Sequence, residues 1–256
     1  MLTGFTPPYT PSGRSALIPA PPWHYAGQLL SLAFDVDRAA AQSLLPDGFG
    51  QATGAAAAHF CEWQATSDGS ELLDPAYSQY REFIALIEVE REGARCFYCP
   101  FIYVDQDLSM ARGWLQGWPK KFGSVWMTRS YELAHPAAAP SRAGTRLGAS
   151  LAVKDRRLAE AAVTLTGEAA APIGLLAAPS WGLVPSPSVI GTPDRGEPRL
   201  ARAVVTDKVQ GPAHAASGTL RFLESPRDEL ALLQPATVTA ASVSTFAMTI
   251  VGAVGP

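Results

Sequence analysis

A single β-rich α+β domain, built as a barrel or as packed sheets, is the fold class this sequence predicts. Segments that mix β-branched and aromatic residues with polar ones recur along the chain, and only two short segments carry helix signals. No repeat, charge run or composition shift divides residues 23–256, so these form one domain. Residues 1–22 hold six prolines and few core-forming runs, which predicts an extended arm lying across the body or a partner subunit.

Taken in order, Gln28-Leu-Leu-Ser-Leu-Ala-Phe34 reads as a strand. Asp35 or Asp37 then caps a helix, Arg38 to Leu45, which Pro46-Asp-Gly48 ends. Ala55 to Gln64, Tyr80 to Glu90 and Cys96 to Val104 have strand character, and Arg91-Glu-Gly93 supplies a turn that pairs the last two as a hairpin. Ser109 to Leu115 is a short helix, followed by a strand over Gly123 to Leu133. Further strands follow at Arg146 to Val153, Ala161 to Glu168, Arg199 to Val209 and Gly218 to Phe222, with a Pro/Gly/Ser-rich loop over Ala178 to Pro198. Ala236 to Val254 fits a helix or a strand, and its Thr and Val content favours the strand.

The whole-chain properties exclude several classes. Net charge is only −3 and no basic stripe exists, which argues against nucleic acid as a partner. No long uninterrupted apolar run predicts a membrane span, and the start lacks a signal-peptide pattern, so a cytoplasmic location is expected. The three cysteines cannot form a complete disulfide framework. Cys96 and Cys99 have metal or redox spacing, yet on a strand they face opposite sides. The four histidines show no zinc spacing, so no metal is expected. There is no nucleophile elbow and no phosphate-cradling glycine loop.

What stands out is Met110-Ala-Arg-Gly-Trp-Leu-Gln-Gly-Trp-Pro-Lys-Lys-Phe-Gly123, which sets Lys120 and Lys121 among tryptophans and a phenylalanine. An ammonium ion loses several kcal/mol of hydration when buried without a partner. Apolar surroundings and a second cation both favour the neutral, nucleophilic amine. At roughly 7 Å and an effective dielectric of about 20, repulsion between two lysines is about 2.4 kcal/mol, nearly two pKa units. The other reading is a turn whose lysines both point into water.

Candidate partners surround this pair in the sequence. Glu82, mid-strand beside apolar residues, suits a partly desolvated general acid, or else faces out and pairs with Arg81 or Arg91. Glu62 carries the same two readings. Gln116 could hold a substrate carboxylate or hydroxyl, or be a polar turn residue. Arg112 could bind a carboxylate bidentately, cap its helix, or pair with Asp105 or Asp107.

The run Arg112-Gly-Trp-Leu-Gln-Gly-Trp-Pro-Lys-Lys-Phe-Gly123 resembles the aromatic-Pro-Lys-Lys-Leu-Gly signature of the acetoacetate decarboxylase-like superfamily. The match extends through Phe97-Tyr-Cys-Pro-Phe-Ile-Tyr-Val104 and Glu82. More loosely it takes in Phe34-Asp-Val-Asp, Leu45-Pro46, Val205-Thr-Asp-Lys208 and Gly218-Thr-Leu-Arg-Phe222. The resemblance implies a cone-like antiparallel β-barrel, a dimer-based or tetrameric homo-oligomer, and Schiff-base catalysis without a cofactor. It makes Lys120 the imine-forming lysine, Lys121 the cation that lowers its pKa, and Glu82 an active-site acid.

Two departures redirect the chemistry. The family's decarboxylases carry an arginine in the segment that here reads Trp23-His-Tyr-Ala-Gly-Gln28, where Tyr25 is the nearest counterpart. Arg112-Gly113-Trp114 stands where they usually have Gly-Arg-Glu, with Gln116 following. The variant looks like the subgroup that runs pyruvate aldol condensation and dehydration, or hydration of 2-oxo-enoic acids. The expected substrates are a small oxo acid and an aldehyde. In that reading Glu82 shuttles protons, Gln116 orients the carboxylate or hydroxyl, and Trp114, Trp118 and Tyr103 form apolar walls. The alternatives are decarboxylation of a 3-oxo acid, with Arg112 as the cation, and a barrel that binds a small hydrophobic ligand without catalysis.

Overall fold

The computed structural model describes residues 1–185 and 197–255. Strand β1 (Trp23–Asp35) leads to helix α1 (Arg38–Ser43), where the Asp37 carboxylate accepts from the Ala40 N–H at 2.7 Å and satisfies one orphan donor. Strand β2 (Gln51–Thr66), a one-turn helix α2 (Pro75–Ser78) and strands β3 (Gln79–Arg91) and β4 (Ala94–Val104) follow. The β3–β4 hairpin turns on Glu92 and Gly93, both at positive φ (54° and 77°), the pattern whose twist suits two antiparallel strands. Next come helix α3 (Asp107–Gln116) and strands β5 (Lys120–Phe122), β6 (Ser124–Met127), β7 (Arg146–Val153) and β8 (Arg156–Ala169). The described chain ends with β9 (Ser180–Val184), β10 (Arg199–Phe222) and β11 (Thr237–Val254).

These strands form one sheet in the order β11-β1-β2-β3-β4-β9-β10-β8-β7-β6, with β5 off this path against β4. Because β11 also pairs with β10, the path from β11 through β1 to β10 closes on itself as a barrel. Closure removes the exposed edges that an open sheet would leave. The sheet is mixed rather than purely antiparallel: β4 runs parallel to both β5 and β9.

Strand alternation divides the core in two. Phe60, Phe83, Tyr103 and Phe222 belong to one apolar cluster, and Tyr25, Trp63, Tyr80, Ile84 and Ile102 to the other. Residues 80, 82 and 84 therefore share a face that 83 and 85 do not, as a period of two requires. Cys96 and Cys99 fall in different clusters, and all three thiols are free.

Several elements differ from the sequence expectations. Residues 1–22 double back instead of lying extended: Thr3 and Thr10 exchange backbone hydrogen bonds, and the buried Ile18 joins the second cluster. The strand expected over Gly123 to Leu133 stops at Met127, because β6 pairs only with β7 and the chain then turns through Pro136 and Pro140. The two strands expected between Arg199 and Phe222 are one, which passes through three register shifts against β11. The loop expected over Ala178 to Pro198 contains strand β9, and its residues 186–196 lie outside the described residues.

Candidate active site

Helix α3 brings the site together. Its buried residues Ser109, Arg112, Gly113 and Gln116 follow the i, i+3, i+4, i+7 pattern of one helix face. Gly117, at φ 87°, ends the helix, and its N–H bonds back to the carbonyl of Gly113. The Trp118 N–H also reaches the Gly113 carbonyl at 2.9 Å, closing the turn that feeds β5. Trp114 then pins the start of that strand, its indole N–H donating to the Lys120 carbonyl at 2.8 Å.

In the parallel pairing, Lys120 lies opposite Ile102 and Lys121 opposite Tyr103. This register sends Lys120 to the same face as Glu82, and Lys121 to the other. The Lys120 side chain is 8% exposed, with Nζ 2.6 Å from Glu82 Oε1 and 3.0 Å from the Ser109 hydroxyl. Glu82 Oε2 accepts from the Trp63 indole N–H at 2.9 Å, which turns the carboxylate so that its other oxygen meets the amine. Burial holds the Lys120 pKa below its ordinary 10.5, Glu82 opposes that, and the Arg112 guanidinium adds to the lowering.

Lys120 and Glu82 line a cavity of about 170 Å³. Arg112 and Gln116 from α3, and Tyr25 from β1, face the same space. Arg112 is 4% exposed, its guanidinium 5.0 Å from the Tyr25 ring centre. Neither Asp105 nor Asp107 pairs with it, and among the described residues it has no carboxylate partner. Burial raises the Tyr25 pKa, while Arg112 and the neighbouring Gln116 amide pull it down.

Four expected residues lie elsewhere. Lys121 sits 2.6 Å from Asp228 and over the Tyr103 ring, so it does not supply the cation beside Lys120; Arg112 stands there instead. Tyr103 is no wall of the cavity: it is buried in the first cluster with its hydroxyl on Asp228. Trp114 is 48% exposed and acts on the backbone of Lys120, leaving Trp118 as the wall. Glu62 alternates with Cys61 and Trp63 of the second cluster, so it faces away from Lys120, where it forms ion pairs with Arg81 at 3.5 Å and Arg129 at 3.8 Å.

Sequence reasoning missed Tyr80, Ser109, Trp63 and Ser180. Tyr80 was legible, since it shares the period-two face of Glu82. Ser109 was legible too, three residues before Arg112 on the helix. The others arrive through pairings of distant strands. Among the described residues no group of His, Cys, Asp and Glu side chains is placed to hold a metal ion, and no helix is long and apolar enough to cross a membrane.

Comparison with solved structures gives close matches. The enduracididine biosynthesis enzyme MppR complexed with pyruvate is 34% identical, with a TM-score of 0.92 over 100% of this chain and 98% of that one. MppR complexed with the condensation product of pyruvate and imidazole 4-carboxaldehyde, also 34% identical, gives a TM-score of 0.93 over 100% of this chain and 97% of that one. An acetoacetate decarboxylase-like enzyme from Sphingomonas wittichii RW1 shares the fold at 24% identity, with a TM-score of 0.87 and coverage of 99% and 100%. No curated protein matches the chain. The sequence profile described as acetoacetate decarboxylase (ADC) matches residues 6–254. With that match running almost end to end through a closed sheet of the same fold, this chain belongs to the acetoacetate decarboxylase family.

Proposed function

We propose that this protein is an imine-forming lyase that condenses pyruvate with an aldehyde and removes water from the product. The observation that carries this reading is the contact of Lys120 Nζ with Glu82 Oε1 in a cavity that also holds the unpaired Arg112. One proton can pass across that 2.6 Å contact, leaving a neutral amine and a carboxylic acid. The amine adds to the ketone of pyruvate, and Glu82 returns the proton to the departing hydroxyl, so that water leaves and an iminium forms. Glu82, again a carboxylate, takes a proton from the methyl carbon to give an enamine. The enamine carbon attacks the aldehyde carbon, whose oxygen becomes a hydroxyl. Loss of a second water gives the conjugated 2-oxo acid, and hydrolysis of the imine frees Lys120.

Arg112 supplies the cation for the pyruvate carboxylate, since a buried guanidinium without an acid gains most from an anionic ligand. The family's relation to MppR, whose structures hold pyruvate and a pyruvate–aldehyde condensation product, supports this choice of substrate class. A second reading uses the same imine to release carbon dioxide from acetoacetate, with Arg112 near the carboxylate; the family profile favours it.

The test is borohydride reduction in the presence of pyruvate. Peptide mass spectrometry should find Lys120 carrying the mass of pyruvic acid less one oxygen atom. An unmodified Lys120 would favour a non-catalytic binding barrel. Carbon dioxide release from acetoacetate, with no product from pyruvate and aldehydes, would select the second reading.

A further inference from the structure

The two lysines of the motif are chemically alike, and the register of β5 decides which of them enters the cavity. That strand is three residues long, and among the described residues it pairs with β4 alone. Its partners are Ile102 for Lys120, Tyr103 for Lys121 and Val104 for Phe122. A shift of one residue would bring Lys121 opposite Ile102, into the place and onto the face that Lys120 now holds. Apolar burial does little to resist that shift. Phe122 shares the face of Lys120, yet it is 58% exposed.

A contact behind the strand supplies what the sequence pattern lacks. The Asp228 side chain is 4% exposed, and its two oxygens go to neighbouring strands. Oδ1 accepts from the Tyr103 hydroxyl on β4, and Oδ2 meets Lys121 Nζ on β5 at 2.6 Å. Tyr103 and Lys121 are the two residues that face each other in the ladder. The carboxylate therefore spans the pairing next to Ile102 and Lys120. Lys121 Nζ also lies 5.6 Å from the Tyr103 ring centre, so ammonium, ring and carboxylate form one cluster. Asp228 is itself held from the core and not from β5. It bridges back to Ser225 and leads into the 3₁₀ helix Leu230–Leu233, whose Leu230 and Leu233 are fully buried in the first cluster. The shift that puts Lys121 in the place of Lys120 would set Phe122 opposite Tyr103 and face Asp228 with a phenyl ring. A buried carboxylate stripped of its cation is strongly disfavoured, so the observed register wins.

We infer that Asp228 is a positioning residue that locks the register of β5, and so selects Lys120 over Lys121 as the imine-forming amine. This inference rests on the imine reading proposed above. It makes the second lysine of the motif an anchor, in place of the electrostatic role expected from the sequence.

The position of the borohydride-trapped pyruvate reads out the register directly. Fragmentation of the labelled peptide distinguishes an adduct on Lys120 from one on Lys121, and the wild-type protein should carry it on Lys120. In Asp228→Ala the ratio of Lys121 to Lys120 adduct should rise by roughly tenfold or more, the factor set by one lost hydrogen bond to a charged group. Asp228→Asn keeps an acceptor for the Tyr103 hydroxyl without the charge, and it should move the ratio the same way but less. This isosteric change decides the matter if Asp228→Ala does not fold, which urea unfolding of each variant reports. Lys120→Met should abolish the adduct on its own, and should give an adduct on Lys121 when combined with Asp228→Ala. A merely structural Asp228 would lower stability without moving the label. Labelling confined to Lys120 in the folded Asp228 variants, or lost from both lysines in them, would overturn the lock and leave the imine reading standing. Failure of the wild-type protein to form an adduct on either lysine overturns both.

Discussion

Lys121 reaches Asp228 at 2.6 Å on the face of β5 opposite Lys120, so the paired lysines of the sequence are not paired in space. Adjacent residues on a strand point to opposite faces, and β5 is a strand. The positive charge that bears on Lys120 is that of Arg112. Removing a neighbouring cation makes the ammonium form easier to hold, so Arg112→Gln should raise the pH at which imine formation reaches half its maximal rate. Lys121→Gln should leave that midpoint almost unchanged. Rates of borohydride inactivation with pyruvate across pH measure both, and an upward shift for Lys121→Gln as large as for Arg112→Gln would restore the cation role to Lys121.

Glu82 has two opposed effects on Lys120, and a single substitution separates them. Its charge and hydrogen bond raise the lysine pKa, so Glu82→Gln should lower it further below 10.5. More of the amine is then free at neutral pH, and acylation of Lys120 by a simple reagent should become faster. Turnover should nevertheless fall by roughly 10²- to 10⁴-fold, because the proton carrier is gone. If acylation and turnover fall together, Glu82 merely positions the lysine.

His59 gives the fold its own acid limit. Burial lowers its pKa to about 3. Its Nε2 accepts from the Leu175 N–H at 3.3 Å, so the proton sits on Nδ1, which donates to the Ser31 hydroxyl at 2.8 Å. Between pH 6.5 and about 3 the unfolded chain binds a proton here that the folded chain does not. Stability is therefore lost as pH falls through that window, by up to about 1.4 kcal/mol per pH unit from this group. His59→Gln keeps a donor and an acceptor without the titration, so urea unfolding from pH 7 to 4 should lose that much of its slope. An unchanged slope would mean that other groups set the acid limit.

How much of this could be read from the sequence follows from the range of the interactions. The alternation around Glu82 and the helical spacing of Ser109, Arg112 and Gln116 are local, and they assign those side chains to faces. The motif around Lys120 was visible for the same reason, since α3, its glycine cap and β5 are contiguous in the chain. The side to which each lysine points depends on the parallel pairing of β5 with β4, which no spacing reveals. Tyr103 looked like a cavity wall because an aromatic residue suits either face of a strand that is buried on both. Ser180 meets the site only because β9 pairs with β4 and β10.

Gly113 shows how tightly the lysine is held. A Cβ built there would lie 2.4 Å from Lys120 Cδ, 2.6 Å from Cγ and 2.7 Å from Cε, all closer than real contacts allow. The helix face thus carries a hydrogen atom where the lysine stem passes. Alanine would favour the helix by about 0.5–1 kcal/mol on propensity alone, yet the buried stem would have to move. Any such movement takes Nζ off Glu82 and Ser109, both within 3.0 Å at present. Misplacement on the scale of 1 Å costs an active site about 10²-fold in rate. Gly113→Ala should accordingly lower kcat by about that factor and slow borohydride trapping of pyruvate, with a urea midpoint near that of the wild-type protein. Gly252, which has nothing within 4 Å of a built Cβ and no left-handed φ, gives the control, because Gly252→Ala tests a glycine with free space around it. Normal trapping kinetics in Gly113→Ala would show that the lysine stem has room to spare, and that the close fit is not what aims it.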